Sequence, residues 1–381
     1  MKKLLTQQIR NNMQTMKSTV ALLIVLLASI FGLQAQSPSF VLDIQGETLN
    51  FLETKRTVLV NTGSNGTNPG SKHKYTNLIT KDGITVDAIL TILEKSPNTN
   101  VTNFDDDTQE GVPSRFQPRI EATTSAGGYV LYELEFFEHI TEATVYVFNY
   151  NLTAVDIDGN GSNNREYVEV GGYTSYTVNN PTQLVISAGQ GGRTRFLGRT
   201  TSLNGIVFDN TCAMIANYQN ANNKITFALG QTGNNKNSAR MYSVQFGVSG
   251  GVFTTPTTVN NPLPVAIDDV GTPVQSSTGG VAVNNVLSND IYDGNPINPS
   301  AVNLTLDTSP SHPGIKLNTN TGQVTVDPGT PGGTYTFVYK ICMKNKPSDC
   351  DIATVTVKVL SADVMITKTA SSNTPQMGSN I

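Results

Sequence analysis

The feature that most constrains this chain is two-residue alternation. In TYTFVYKIC, Thr334 to Cys342, the side chains of Tyr335, Phe337, Tyr339 and Ile341 share one face, and in CDIATVTVKV, Cys350 to Val359, those of Ala353, Val355, Val357 and Val359 do the same. Successive side chains on a strand point to opposite faces, so this pattern suits a half-buried strand and wastes half its apolar groups on a helix. TVYVFNYNL repeats it upstream and predicts Tyr146, Phe148, Tyr150 and Leu152 on one face. EYVEV, QLVIS, GIVF, KITFAL and MYSVQFGV follow, separated by Gly, Asn and Thr turns. ITVDAILTILEK, Ile84 to Lys95, alone has a tolerable helical pattern, and its β-branched content argues against it. The expected class is all-β.

Composition places such a chain outside the cell. Charged residues are 14% of the 381, well below the usual quarter or so. The first 35 residues carry Lys2, Lys3, Arg10, Lys17 and no acid, then the apolar run VALLIVLLASIFGL. That run is shorter than the roughly 20 residues a spanning helix needs and suits a secretory signal, 1–35, cut before Gln36. Met16 offers an alternative start. Without the four leader cations, 21 of the 25 basic groups face 29 acidic ones, a net charge of −8. An acidic surface argues against a nucleic-acid partner, and no later segment is apolar enough to span a membrane. In an oxidising compartment Cys342 and Cys350, at the ends of two strands joined by a seven-residue loop, are expected to form a disulfide, leaving Cys212 as a buried thiol.

Two sandwiches are expected. About ten short strands over 36–253 suggest a jelly-roll-like β-sandwich. TTPTTVNNPLP, 254–264, reads as a linker. Residues 265–360, with about seven strands, fit an immunoglobulin-like sandwich, in which IKLNTNTGQVTV predicts a hairpin turning at Thr319–Gly322.

This second region also carries motifs. Ala266-Ile267-Asp268-Asp269 is followed by Val286-Leu287-Ser288-Asn289-Asp290, Asp293-Gly294, the alternating Tyr335–Ile341 strand and a final Ala-Thr-Val-Thr-Val. In this order they resemble the cadherin-like, immunoglobulin-like repeats of large bacterial surface proteins. The tail, with Ala362-Asp363 and Ile366-Thr367-Lys368-Thr369-Ala370, resembles the opening of a conserved tandem surface repeat of unknown function, so 361–381 is expected to begin a further β-sandwich in a longer protein. The resemblance implies adhesion or structural display on a stalk, with an unidentified protein or glycan as surface ligand.

Four clusters of oxygen-bearing side chains invite a chemical reading. DIDGNGSNNREY, Asp156 to Tyr167, offers Asp156, Asp158 and Asn160 in Asp-x-Asp-x-Asn-Gly spacing, with Glu166 or Glu169 to close a calcium shell; it lacks the Glu at position 12 and the helices of an EF-hand. Its bland alternative is an Asn/Gly turn. In the cadherin-like region, Asp268, Asp269, Asn289, Asp290 and Asp293 are candidate calcium ligands by resemblance, or Asx-turn caps. YELEFFEH places Glu133 and Glu135 about 7 Å apart on one strand face, with Glu138 beyond; jelly-roll glycosidases use a similar run, and retaining ones need carboxyls about 5–5.5 Å apart. DDDTQE, Asp105 to Glu110, reads as a solvated acidic loop. The expected function is an exported, non-enzymatic surface adhesion or structural protein, calcium-stabilised. A carbohydrate-binding module is the rival reading, and a glycosidase at Glu133, Glu135 and Glu138 a more distant one.

Overall fold

A computed structural model gives the fold. It describes residues 39–361, apart from 107–111, 113, 162, 234–238, 248–252 and 294. The expected signal segment and the tail repeat lie outside the described residues. The described chain is all-β, with only three-residue helical turns between strands, and no described helix is long and apolar enough to cross a membrane.

The chain forms two compact units. Of the described residues, one takes in those up to Ala266 with Asp290–Asn303 and Ile341–Asp351; the other holds Ile267–Asn289, Leu304–Lys340 and 352–361. Residues 265–360, expected as one domain, therefore contribute to both.

The first unit is built on an eight-stranded sheet ordered Val185–Ala188, Thr194–Leu197, Glu166–Val170, Lys224–Gln231, Gly128–Glu138, Ile84–Lys95, Lys72–Lys81 and Arg56–Val60. Its neighbouring strands are antiparallel. A five-stranded sheet carries Ser243–Phe246, Tyr150–Val155, Met214–Tyr218, Ser175–Asn179 and Pro256–Asn260, also antiparallel. Residues of both sheets belong to one buried apolar cluster, which makes the pair a sandwich. The central strand Gly128–Glu138 shows why these residues choose it. Val130, Tyr132, Leu134 and Phe136 are fully buried, while the residues between them lie half-exposed. Tyr132 stacks on Phe227 at 5.4 Å, and Phe116 meets both rings edge-on. Edge-to-face pairs of this kind add about 0.5–1.5 kcal/mol beyond the area they bury.

One open reading is decided in this unit and two expectations are corrected. Ile84–Lys95 is a strand: Val86, Ala88, Leu90 and Ile92 point inward, and the β-branched content prevails. Pro256–Asn260, read as linker, is an exposed edge strand hydrogen-bonded to Ser175–Asn179. Proline at its first position removes one donor, which an edge strand tolerates. In TVYVFNYNL the alternation breaks at Asn149, whose φ of +55° lies in the left-handed region. Val145 and Val147 face inward before the break, Tyr150 and Leu152 after it, so Tyr146 and Phe148 lie on the other face. The two halves also join different strands: Val145–Phe148 runs parallel to Phe40–Asp43, and Tyr150–Val155 enters the five-stranded sheet.

Cys342 and Cys350 form the expected disulfide, and Cys212 is the buried free thiol. The loop the disulfide closes is held within the first unit. Asp349, 2% exposed, accepts from Gly172 N and from Asn261 Nδ2, both at 3.1 Å, while Lys346 Nζ donates to Asn261 Oδ1 at 2.5 Å.

The strands Gly333–Met343 and Cys350–Leu360, most of whose residues belong to the second unit, lie side by side, and the short strands Asp269–Val270 and Val274–Gln275 run parallel to the latter. Phe337, Tyr339, Ala353, Val355, Val357 and Val359 are buried as the alternation predicts. Ile315–Leu317 pairs with Val324–Val326 around the expected turn, where Gly322 has a φ of +73° and a Cβ would fall 2.0 Å from Asn285 Oδ1.

Truncating Phe227 to alanine should cost about 3–5 kcal/mol, the usual penalty for emptying a packed aromatic site. Cys342→Ser with Cys350→Ser should cost about 2–3 kcal/mol through the freed loop. Urea unfolding followed by tyrosine fluorescence measures both, and a Phe227→Ala loss below about 1 kcal/mol would contradict the packing described.

Candidate functional site

The loop at Asp156–Glu166 is built around a cation from elsewhere in the chain. Asp156, with a φ of +58°, turns the backbone out of the strand Tyr150–Val155, and Gly161 at +87° turns it again. Asp158 and Glu166 are thereby buried side by side. The guanidinium of Arg240 pairs with Asp158 Oδ1 through Nη2 and with Glu166 Oε1 through Nε, the latter at 2.5 Å. The remaining oxygens are also committed: Asp158 Oδ2 accepts from Leu203 N at 2.5 Å, and Glu166 Oε2 from Asp158 N at 3.4 Å. Asn160 is exposed, its backbone N–H bonded to Asn164 O. Glu169, on the other face of the same strand, is held by Arg193 and Arg195.

Electrostatics follow from this count. One guanidinium cannot compensate three buried carboxyls. Burial, reinforced by Asp158, pushes Asp156 up to about 7; burial pushes Glu166 up to about 8 and raises Asp158 as well. Asp156 Oδ1 has no hydrogen-bond partner among the described residues, and a buried oxygen without one favours the neutral carboxyl. A calcium ion wants six to eight oxygens, and in this arrangement Arg240 takes one oxygen each of Asp158 and Glu166. Among the described residues no three or more His, Cys, Asp or Glu side chains are grouped to hold a metal ion.

Among the cadherin-like candidates, Asp268 and Asn289 bond to backbone groups through their side chains. In the second unit Asp268 Oδ1 accepts from Thr354 N at 2.7 Å, and Asn289 Nδ2 donates to the carbonyls of Ile267 and Asp268. Asp269 is buried there, in the strand Asp269–Val270. In the first unit Asp290 is fully buried, with its carbonyl accepting from Ile297 N. Asp293 sits exposed at a φ of +50°, its carbonyl accepting from Asn295 Nδ2. The Asp268 and Asn289 side chains thus tie together backbone segments distant in sequence, whereas an Asx-turn would cap the backbone next to them.

The glutamate run divides between faces. Glu133 and Glu135 lie half-exposed and share Lys224, at 3.6 and 3.2 Å. Glu138, three residues on, is buried on the opposite face, where its Oε2 accepts from the backbone of Ile140 and Thr141 and from the Thr141 hydroxyl. In DDDTQE the expectation of a solvated loop fails for the first two residues. Asp105 is fully buried, accepting from Tyr75 OH at 2.6 Å and Gln117 N at 2.8 Å, and burial pushes it up to about 7. Asp106 pairs with Arg119 at 2.6 Å. Residues 107–110 lie outside the described residues.

Sequence reading missed a cleft of about 430 Å³ beside this buried acid. The strand Arg56–Val60, the following turn around Ser64–Gly66 and the strand Thr99–Asn103 line it, with Glu53 and Phe104 at its margins. Its organiser is Arg56, which donates through Nη2 to Glu53 Oε1 at 2.9 Å and lies 3.0 Å through Nη1 from His73 Nδ1. His73 Nε2 sits 2.7 Å from Gly66 O, so Nε2 carries the proton and Nδ1 accepts from Arg56. Burial lowers His73 to about 4. Its neutral ring stacks on Phe104 with centroids 3.4 Å apart.

No protein-family description matches the chain, nor does any curated protein. Among solved structures, the N-terminal domain of the Streptococcus gordonii adhesin Sgo0707 aligns at 12% identity over 84% of this chain and 94% of that one, with a TM-score of 0.37. Human mucin-like protocadherin EC1-2 aligns at 15% identity over 35% and 76% of the two chains, with a TM-score of 0.21. Mouse cadherin-23 EC22-24 gives 11%, 86%, 97% and 0.22. Superpositions this loose carry no functional argument, and the fold class rests on the strand ladders themselves.

Two outcomes follow from the Arg240 cluster. Arg240→Met leaves buried carboxyls uncompensated and should cost about 3–5 kcal/mol. Native Asp156 and Glu166 hold protons up to about pH 7 and 8, whereas the unfolded chain releases them near pH 4. Between those limits the native state binds more protons, so their contribution to stability is full below about pH 4 and falls as pH rises to about 8. Measured against Glu166→Gln, a permanently neutral stand-in, the wild type should lose relative stability between pH 5 and 8; a flat difference in calorimetric scans would show that Glu166 is ionised throughout.

Proposed function

We propose that this chain is part of an exported surface protein that works by adhesion rather than catalysis. The observation that carries the reading is the all-β build closed by a disulfide: two compact β-units, low in charge, with Cys342 and Cys350 joined. Such a bond persists outside the reducing cytosol. The ordered motifs shared with cadherin-like bacterial surface repeats support the same reading, as does the leader-like composition of residues 1–35. A non-catalytic role is supported by the glutamate run, where Glu133 and Glu135 share one lysine and Glu138 faces the other way. Calcium stiffening forms no part of the proposal, because Arg240 and backbone groups take the carboxylate oxygens of Asp158 and Glu166.

The test is on intact cells expressing the full chain. Antibodies raised against residues 39–253 should label unpermeabilised cells, and beads coated with the purified chain should adhere to host tissue or to neighbouring cells. Retention in the cytosol with both thiols free would overturn the reading. Adding millimolar calcium after chelation should leave the melting temperature unchanged; a ligand at a hundredfold excess over its dissociation constant would instead add about 2.7 kcal/mol.

A further inference from the structure

We propose that the Arg56 cleft binds an uncharged, hydroxyl-rich ligand, a neutral mono- or disaccharide; this deepens the adhesion reading and rests on it for biological context. At about 430 Å³, the cleft falls at the small end of the roughly 300–1,000 Å³ typical of small-molecule sites. Its chemistry is that of a sugar site. Asn61, Asn103, Ser64 and Thr67 supply amides and hydroxyls, and Arg56 and Glu53 supply one ion pair.

The hydrogen-bond inventory decides which ends of these groups are left for a ligand. Asn61 Oδ1 accepts from Gly66 N at 2.7 Å, and Asn103 Oδ1 from Asp105 N at 3.3 Å. Each amide is thereby fixed in orientation, and its Nδ2 donor has no partner among the described residues. Glu53 gives Oε1 to Arg56 and keeps Oε2 uncommitted. Fixed donors beside a fixed acceptor match vicinal hydroxyls, each of which both donates and accepts.

Charge argues against the alternatives. The Arg56 guanidinium is balanced by Glu53 and rests against a histidine held neutral, so the cleft presents no net positive charge to a phosphate, sulfate or carboxylate. Rigidity argues for a pre-formed site. Arg56 lies over the Phe104 ring at 5.6 Å, and Phe104 is anchored in the core against Phe116 and Tyr132. The opposing turn is fastened by Gly66, whose φ is +69° and where a Cβ would lie 2.8 Å from His73 Nε2. A site ordered before binding spends little of its affinity on ordering itself.

The experiment is an array of neutral, sialylated and sulfated glycans probed with the full chain, followed by calorimetric titration with the strongest neutral hit. Neutral glycans should bind. Glu53→Gln should weaken the hit by about tenfold or more, as expected for loss of a charge-assisted acceptor. Thr102→Trp, at an exposed wall position, should abolish binding while leaving the melting temperature unchanged. Binding confined to acidic glycans, or neutral binding indifferent to Thr102→Trp, overturns the proposal. Bead adhesion without any glycan binding overturns the cleft assignment and leaves the adhesion reading standing; glycan binding without bead adhesion supports the cleft and overturns adhesion.

Discussion

The structure depends on aromatic rings packed between two twisted sheets. Tyr132, Phe227, Phe116, Phe246 and Phe51 form a continuous series of contacts at the centre of the first unit. With no tryptophan in the chain, tyrosine and phenylalanine supply all the large flat surface there. Tyr132, Phe227 and Phe246 arrive from three different strands, Phe116 from an isolated bridge and Phe51 from the segment before Arg56–Val60, so the packing fixes strand order and register together. A one-residue slip in any of these strands would turn its ring outward and expose what the core needs.

Several charged groups buried at the margins of the core are paired. Asp105 finds Tyr75 and Gln117, Glu169 finds Arg193 and Arg195, and Asp158 and Glu166 share Arg240. These pairings set the positions of the loops that leave the sandwich. The cleft beside Arg56 follows from the same arrangement, since Phe104 and Asp105 are consecutive residues, one in the aromatic core and the other in the buried acid network. A binding surface on this fold is thus a rim whose geometry is inherited from the core behind it.

Legibility in the sequence followed the range of the interaction. The hairpin at Thr319–Gly322 and the buried faces of the strands Gly333–Met343 and Cys350–Leu360 could be read directly, because alternation and turn residues are local signals. The Cys342–Cys350 bond was legible for the same reason: its partners are 8 positions apart. Tyr146 and Phe148 were placed on the wrong face because a single left-handed residue, Asn149, resets the alternation, and nothing in the residue type demands that it do so here. Pro256–Asn260 looked like a linker because an exposed edge strand has little apolar pattern to show.

The sequence by itself determined the class of structure: β-strands with turns between them, and a disulfide hairpin. Local sterics and solvation decide these, and each residue carries that information with its neighbours. Tertiary structure alone decided what the acidic loops do. DIDGNG reads as an isolated acidic loop until Arg240, 82 residues beyond Asp158, is folded against it, and the first aspartates of DDDTQE look solvated until the core closes over them. A carboxyl's role depends on the dielectric around it and on the charge within a few ångströms, and only the folded chain brings that charge near.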